Sequence, residues 1–308
     1  MRLLFLGTSS FAVPILEVLT SSSHIRLTGV VTRPDRPAGR GRKLTSTPVA
    51  EAAARASLPL FQPVKLKKAF REEVTTLAPD VILSAAYGLY LPEWFLSAAP
   101  SGVVNVHPSL LPELRGAAPV ARAISEGLTE TGVTFMLTDS GWDTGPVLRS
   151  FKCDIHPDDT TGSLESRLAT LAASETVSVL KDYVSGALHS KVQDGEPSYA
   201  DKITSKETFL DLNSSAEALE RLVRAFQPSP GARVLFRGRI LKIHSAALSM
   251  IEVPPGEVVV TEDGSMVVGC GSGSLELKKV QPESGKVMEI NAFIRGYRPR
   301  KGEKCSIV

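Results

Sequence analysis

The amino-acid sequence predicts an α/β protein: a doubly wound, mostly parallel sheet followed by a smaller antiparallel β unit. Three observations carry that prediction. Short apolar runs alternate with helical segments through the first half, the pattern of right-handed β-α-β units. Beyond residue 232 the chain changes to strand after strand, separated by glycine-containing turns. Between the two, residues 189–206 are polar, contain Gly195 and Pro197, and show neither period.

Residues 3–6 are wholly apolar and stop at Gly7, which reads as a buried strand. Residues 13–19 put Ile15, Leu16 and Leu19 on one side of a helix. A strand is expected at 27–32, an alanine-rich helix at 49–56, and strands at 81–86 and 103–106. Residues 132–137 read as a later strand of the same sheet. After Asp159-Thr160-Thr161, the spacing of Leu164, Leu168 and Leu171 predicts a helix running to about residue 183. In the second half, Ser214 with Glu217 three residues later predicts a capping box. Leu219, Leu222, Val223 and Phe226 then mark a helical face. Strands expected at 234–236, 240–244, 257–260, 266–270 and 274–280 make an antiparallel barrel or sandwich of about 100 residues. The expected division is therefore 1–188, a linker at 189–206, and 207–308.

A chain of 308 residues has room for two cores. Its 43% hydrophobic and 22% charged content is that of a soluble globular protein. A net charge of +2 gives no global field to attract a polyanion. Cys153, Cys270 and Cys305 form no CxxC pair and no Cys/His cluster, so neither a metal site nor a disulfide framework is expected. Reduced thiols point to the cytoplasm. The opening apolar run breaks at Gly7, short of the ~7–15 residues of a secretory signal. No run approaches the ~18 apolar residues that span a bilayer.

Gly7-Thr8-Ser9-Ser10-Phe11-Ala12 sits where a dinucleotide fingerprint would sit but keeps only its first glycine, so a tight turn is expected there. Residues 32–44 hold five cations, Arg33, Arg36, Arg40, Arg42 and Lys43, against one acid, Asp35. Proline and glycine argue against a regular element there, and the charge suits phosphate binding, with ordering on contact with nucleic acid. Tyr87-Gly88-Leu89 follows a strand, at the sheet edge where open α/β proteins bind ligands. Asn105 and His107 are two apart at the end of a strand, which sends both side chains to one face. An amide donor beside an imidazole, with Asp143 in a Gly141-Trp142-Asp143-Thr144-Gly145 turn to orient it, suits acyl transfer through a tetrahedral intermediate. His24, His156, His189 and His244 have no reactive company and read as structural. No serine or cysteine has a nucleophile-elbow context.

At these residues the chain closely resembles the methionyl-tRNA formyltransferases. The resemblance rests on Pro34-Asp35-Arg36-Pro37-Ala38-Gly39-Arg40-Gly41, Ala86-Tyr87-Gly88-Leu89, Asn105-Val106-His107, Ser109-Leu110-Leu111-Pro112, Arg115-Gly116-Ala117-Ala118-Pro119, Glu130-Thr131-Gly132-Val133-Thr134 and Asp143-Thr144-Gly145. Arg224-Ala225-Phe226-Gln227-Pro228 resembles the start of the family's C-terminal domain, although Ser229 stands where an aromatic is expected between prolines. The resemblance implies a Rossmann-like catalytic domain and an OB-like C-terminal β-barrel that binds tRNA. It implies 10-formyltetrahydrofolate as a consumed cosubstrate, with no tightly bound cofactor and no metal, and initiator methionyl-tRNA as acceptor. Asn105, His107 and Asp143 are then catalytic. Tyr87, Gly88, Leu89, Ser109, Leu110, Leu111 and Pro112 form the folate pocket, and Arg33, Arg36, Arg40, Arg42 and Lys43 bind tRNA. A monomer is expected. The competing readings are an amino-sugar formyltransferase with the same centre and a non-catalytic RNA-binding protein.

Overall fold

Leu3, Leu4, Phe5 and Leu6 are fully buried and form the middle of β1 (Arg2–Gly7), an inner strand of a seven-stranded sheet. A strand covered by helices on both faces needs such an unbroken apolar run. The structure, a computed structural model, describes residues 1–38 and 43–306. The remaining elements of the first half are, in chain order, α1 (Ala12–Ser21), β2 (Arg26–Val31), β3 (Arg36–Ala38), β4 (Lys43–Thr45), α2 (Pro48–Arg55), β5 (Leu60–Phe61), α3 (Arg71–Leu77), β6 (Val81–Ala85), α4 (Glu93–Leu96), β7 (Val103–His107), β8 (Arg115–Gly116), α5 (Pro119–Ser125), β9 (Glu130–Leu137), β10 (Val147–Asp154), α6 (Thr161–Val184) and β11 (Tyr199–Ala200).

The sheet runs β10-β9-β7-β6-β1-β2-β5. Its central pairings are parallel, while β7–β9 and β9–β10 are antiparallel. This is the doubly wound architecture that the alternation predicts. Chain order reverses between β1 and β6, and at such a switch point the loops after neighbouring strands diverge to leave a crevice. Gly7, Ala85 and His107 close the strands on that edge.

Two sequence expectations change here. The basic segment carries short strands after all: Arg36 pairs with Thr45 and Pro37 with Leu44 in an isolated two-stranded ribbon. Proline is tolerated there because an edge strand leaves its missing donor unneeded. The segment expected as a plain linker pairs instead with the first half of the chain, Tyr199 with Arg115 and Ala200 with Gly116. So short a pairing leaves no periodic signal in the sequence.

The described residues fall into two compact units, one of Met1–Pro119, Glu130–Asp154 and Glu165–Ala200, the other of Val120–Thr129, Ile155–Leu164 and Asp201–Val308. The second unit contains α7 (Ala216–Ala225), β12 (Ala232–Phe236), β13 (Arg239–Ser249), β14 (Val258–Val260), β15 (Met266–Gly269), β16 (Ser274–Pro282), β17 (Met288–Glu289), α8 (Ile290–Tyr297) and β18 (Cys305–Ser306). Its antiparallel sheet runs β14-β15-β16-β13-β12-β18, with β17 on β16. Val258 N donates to Glu303 O and Cys305 N to Gly256 O, so the chain leading into β18 reaches back to the first strand and nearly closes a barrel. Leu219, Val223 and Phe226 are buried, as their helical spacing predicts. The cap of α7 is Ser215, whose side chain accepts from Ala218 N, and not Ser214. Ser215 occupies the extended position where the chain turns into the helix, the geometry a cap requires. Among the described residues no helix is long and apolar enough to cross a membrane.

Candidate active site

β7 places Asn105 and His107 on one face, next to β6 on one side and β9 on the other. Asn105 is partly exposed, and its side-chain amide makes no hydrogen bond among the described residues. His107 is 4% exposed. Its Nε2 lies 3.0 Å from Leu114 O. A carbonyl oxygen only accepts, so Nε2 carries the hydrogen and the tautomer follows. Nδ1 is then turned toward Asp143 Oδ2 at 3.6 Å. That is ion-pair range, longer than a hydrogen bond, and such contacts tighten when ligand arrives.

Each partner of the imidazole is itself held. Asp143 Oδ2 accepts from Gly116 N at 3.0 Å. The turn before it is tied by Asp139, whose carboxylate accepts from Gly141 N at 3.0 Å and from Thr144 Oγ1 at 2.8 Å. Gly145 is required at its position, because a Cβ there would stand 1.8 Å from Leu137 O. Gln193, which the sequence reading does not single out, donates from Nε2 to Asp143 O and Gly145 O. Nothing in its local sequence marks it.

The loop after His107 is fixed from β9. Thr134, the register partner of His107, donates from Oγ1 to Ser109 O at 2.7 Å and accepts from Leu111 N at 3.2 Å. Ser109 Oγ donates to Glu113 O at 2.6 Å. Gly132 makes room for Leu110, since a Cβ would lie 2.5 Å from Leu110 Cδ2. Ser109 is thus fully engaged by protein, while Leu110, Leu111 and Pro112 are partly exposed.

The loop after β6 divides its residues between core and surface. Tyr87 is 3% exposed and packs with Leu4, Leu6, Val31, Ile82 and Phe95. Its hydroxyl has no hydrogen-bond partner among the described residues, and burial pushes its pKa up to about 12 against the opposing charge of Arg33. Tyr87 O accepts from Thr8 Oγ1 at 2.9 Å, tying the β6 loop to the β1 loop. What remains open is Gly88, at φ +74, and the partly buried Leu89. Arg33 Nη1 lies 3.6 Å from where a Cβ on Gly88 would stand.

Of the five cations of the basic segment, Arg33 is partly buried and Arg36 exposed. Arg40 and Arg42 lie outside the described residues, and the Lys43 side chain with them. Asp35 is already occupied, accepting from Gln62 Nε2 at 2.7 Å and Ser46 Oγ at 2.9 Å. The segment's one carboxylate is therefore engaged by Gln62 and Ser46.

Comparison with known proteins places the chain in a family. Residues 1–180 match the formyl transferase family model, and residues 202–298 match the model of the formyl transferase C-terminal domain. The chain is 41% identical over 300 residues to the methionyl-tRNA formyltransferase of Marinobacter nauticus, covering 96% of both chains. Among solved structures, it is similar in fold to methionyl-tRNA formyltransferase from Clostridium thermocellum, with a TM-score of 0.60 and 15% identity over 81% of this chain and 94% of that one. An N-formyltransferase of Helicobacter canadensis, solved with folinic acid and dTDP-3-aminofucose, gives a TM-score of 0.68 and 16% identity over 92% of this chain and 100% of that one. At such identity these two likenesses bear on the fold alone, whereas the full-length match at 41% bears on the family. The chain belongs to the methionyl-tRNA formyltransferase family.

Proposed function

We propose that Asn105, His107 and Asp143 carry out the family's reaction on this chain, transfer of a formyl group from 10-formyltetrahydrofolate to the α-amino group of methionyl-tRNA. The donor is a cosubstrate, released as tetrahydrofolate. The neutral amine attacks the formyl carbon and a C–N bond forms. Negative charge collects on the formyl oxygen of the tetrahedral intermediate. The bond from carbon to the folate N10 then breaks, and the proton shed by the amine ends on N10.

The observation that carries this reading is the asymmetry between the two side chains of β7. Both imidazole nitrogens of His107 already face protein acceptors, Leu114 O and Asp143 Oδ2. The amide of Asn105, on the same face, has no hydrogen bond among the described residues. We therefore assign the oxyanion to an N–H of Asn105, a donor set in place before charge develops. Proton movement falls to Nδ1 of His107 with Asp143, whose carboxylate steadies a proton held on that nitrogen. The open positions Gly88, Leu89, Leu110, Leu111 and Pro112 are offered as the folate contacts, with Tyr87 and Ser109 shaping the pocket from behind. Arg33, Arg36, Arg40, Arg42 and Lys43 are offered as phosphate contacts for the tRNA. Residues 1–188 would then form the catalytic domain and 207–308 a tRNA-binding domain joined to it through 189–206. The acceptor is initiator methionyl-tRNA, and the enzyme acts as a monomer in the cytoplasm, where translation begins.

Steady-state kinetics of His107→Ala and Asp143→Ala test the assignment. Each should lower turnover at least ~10²-fold, the lower range for a positioned acid–base group. Affinity for a folate analogue and for tRNA should change little. Near-normal turnover in either variant would remove that residue from the centre.

A further inference from the structure

We propose that Gln193 is a positioning residue for catalysis, acting through Asp143, and that residues 191–200 form a strap holding both walls of the imidazole site. The inference rests on the catalytic assignment of Asp143 and His107 above.

The strap is pinned along its length. Lys191 exchanges backbone hydrogen bonds with Val147 at 2.7 and 2.8 Å. Gln193 Nε2 donates to Asp143 O at 2.7 Å and to Gly145 O at 2.8 Å. Its Oε1 accepts from Arg115 Nε at 3.1 Å and Nη2 at 2.7 Å. This orientation is the only one the neighbours allow, because a guanidinium only donates and carbonyls only accept. Ser198 Oγ accepts from Leu114 N at 2.8 Å, and Ser198 O accepts from Arg115 N at 2.9 Å. Ala200 O accepts from Ala117 N and Ala118 N.

These bonds converge on the two groups that hold His107. Leu114 supplies the carbonyl that fixes Nε2, and Asp143 supplies the carboxylate that faces Nδ1. Leu114 sits at φ 55 and Asp143 at φ 52, left-handed conformations that a non-glycine residue keeps only where its surroundings hold it. The amide of Gln193 is part of that hold for Asp143. It clamps the carbonyls on either side of Thr144, so the carboxylate is aimed by backbone and cannot swing away. Misplacement of a reacting group by about 1 Å costs on the order of 10²-fold in rate.

Two variants of the full-length protein separate positioning from folding. Gln193→Ala deletes every contact of the side chain. Gln193→Glu keeps an acceptor for Arg115 and gains an ion pair with it, but offers no N–H and sets a negative oxygen against two carbonyls. With 10-formyltetrahydrofolate and methionyl-tRNA, both should lower kcat roughly 10- to 100-fold, with KM for either substrate moving less than about threefold. The unfolding midpoint of Gln193→Glu should stay near the parent's. Introduced into Asp143→Ala, Gln193→Ala should cost less than about twofold more, because it acts through a group already gone. An unchanged kcat in Gln193→Glu, or penalties that multiply in the double variant, would overturn the proposal. If Asp143→Ala is impaired and the Gln193 variants are not, this inference alone fails. A fully active Asp143→Ala overturns the catalytic reading and this inference with it.

Discussion

Asn105 differs from its neighbours in the site by what it lacks. The side chains of His107, Ser109, Thr134 and Asp143 each hydrogen-bond to the protein, and among the described residues that of Asn105 does not. An oxyanion exists only near the transition state, so a donor aimed at it affects rate more than ground-state binding. Asn105→Ala should lower the rate of transfer by roughly 10²- to 10³-fold, the range for loss of one oxyanion donor, while donor affinity changes far less. Asn105→Asp should be worse, since it sets negative charge against developing negative charge. Comparable losses of donor affinity and rate in equilibrium binding and single-turnover assays would make Asn105 a binding residue instead. The residues legible in the sequence were those whose chemistry lies in their side chains at a strand end: Asn105, His107 and, through its turn, Asp143. The Leu114 carbonyl was not legible, because every residue has one. Gln193 was not, because its role depends on a contact 50 residues away. An aromatic after a strand reads alike as ligand platform or core, and the Tyr87 ring is in the core.

Among the elements, β1, β2, β6 and β7 were readable because burial on both faces demands continuous apolar runs, and their observed ends, like those of β9, fall within a residue or two of those expected; β5 and the edge strand β10, half of whose residues face outward, were not foreseen. Elements made by few, local or polar contacts were not. The β3–β4 ribbon, the β8–β11 pairing and the last residues of β13, Ser245 to Ser249, have no strong period to read. Another such contact anchors α5 within the second unit. Glu207 accepts from Thr204 N and Oγ1 at 2.8 Å each, and pairs with Arg122 Nη2 at 2.7 Å. The Thr204 amide, then its hydroxyl, then Arg122 favour the charged carboxylate over the opposing cost of burial and hold its pKa down at about 2. A depressed carboxylate stabilises the fold above its unfolded value of about 4.3, and that stabilisation is lost as pH falls toward 2. Its side chain is 36% exposed, so solvent screening limits the effect to about 1 kcal/mol or less. Glu207→Gln should lower stability by that amount at neutral pH, with the difference shrinking as unfolding is measured toward pH 2. A difference independent of pH would assign the effect to packing instead.

For the molecule as a whole, chain order and spatial grouping are not the same division. Residues 120–129 fall between β7 and β9 in sequence and residues 155–164 directly follow β10, yet both group with 201–308 in space. Composition along the chain reports linkers and changes of period, and it carries no signal for a segment that leaves one unit to pack in another. The family models, at 1–180 and 202–298, follow chain order. All three proposed catalytic residues and the Gln193 strap fall within the first unit. The reaction as a whole needs a long polyanionic acceptor brought to it, and the segment holding Arg33, Arg36, Arg40, Arg42 and Lys43 is the part of the sequence suited to that task. An amino-sugar acceptor would have no comparable use for five cations. The most direct measurement is formyl transfer by the intact protein, with 10-formyltetrahydrofolate as donor and methionyl initiator tRNA and a nucleotide-linked amino sugar offered together as acceptors. The result expected is formylation of the tRNA alone, reduced at least ~10²-fold by His107→Ala. Formyl transfer to the sugar, or to the tRNA at an undiminished rate in His107→Ala, would contradict it.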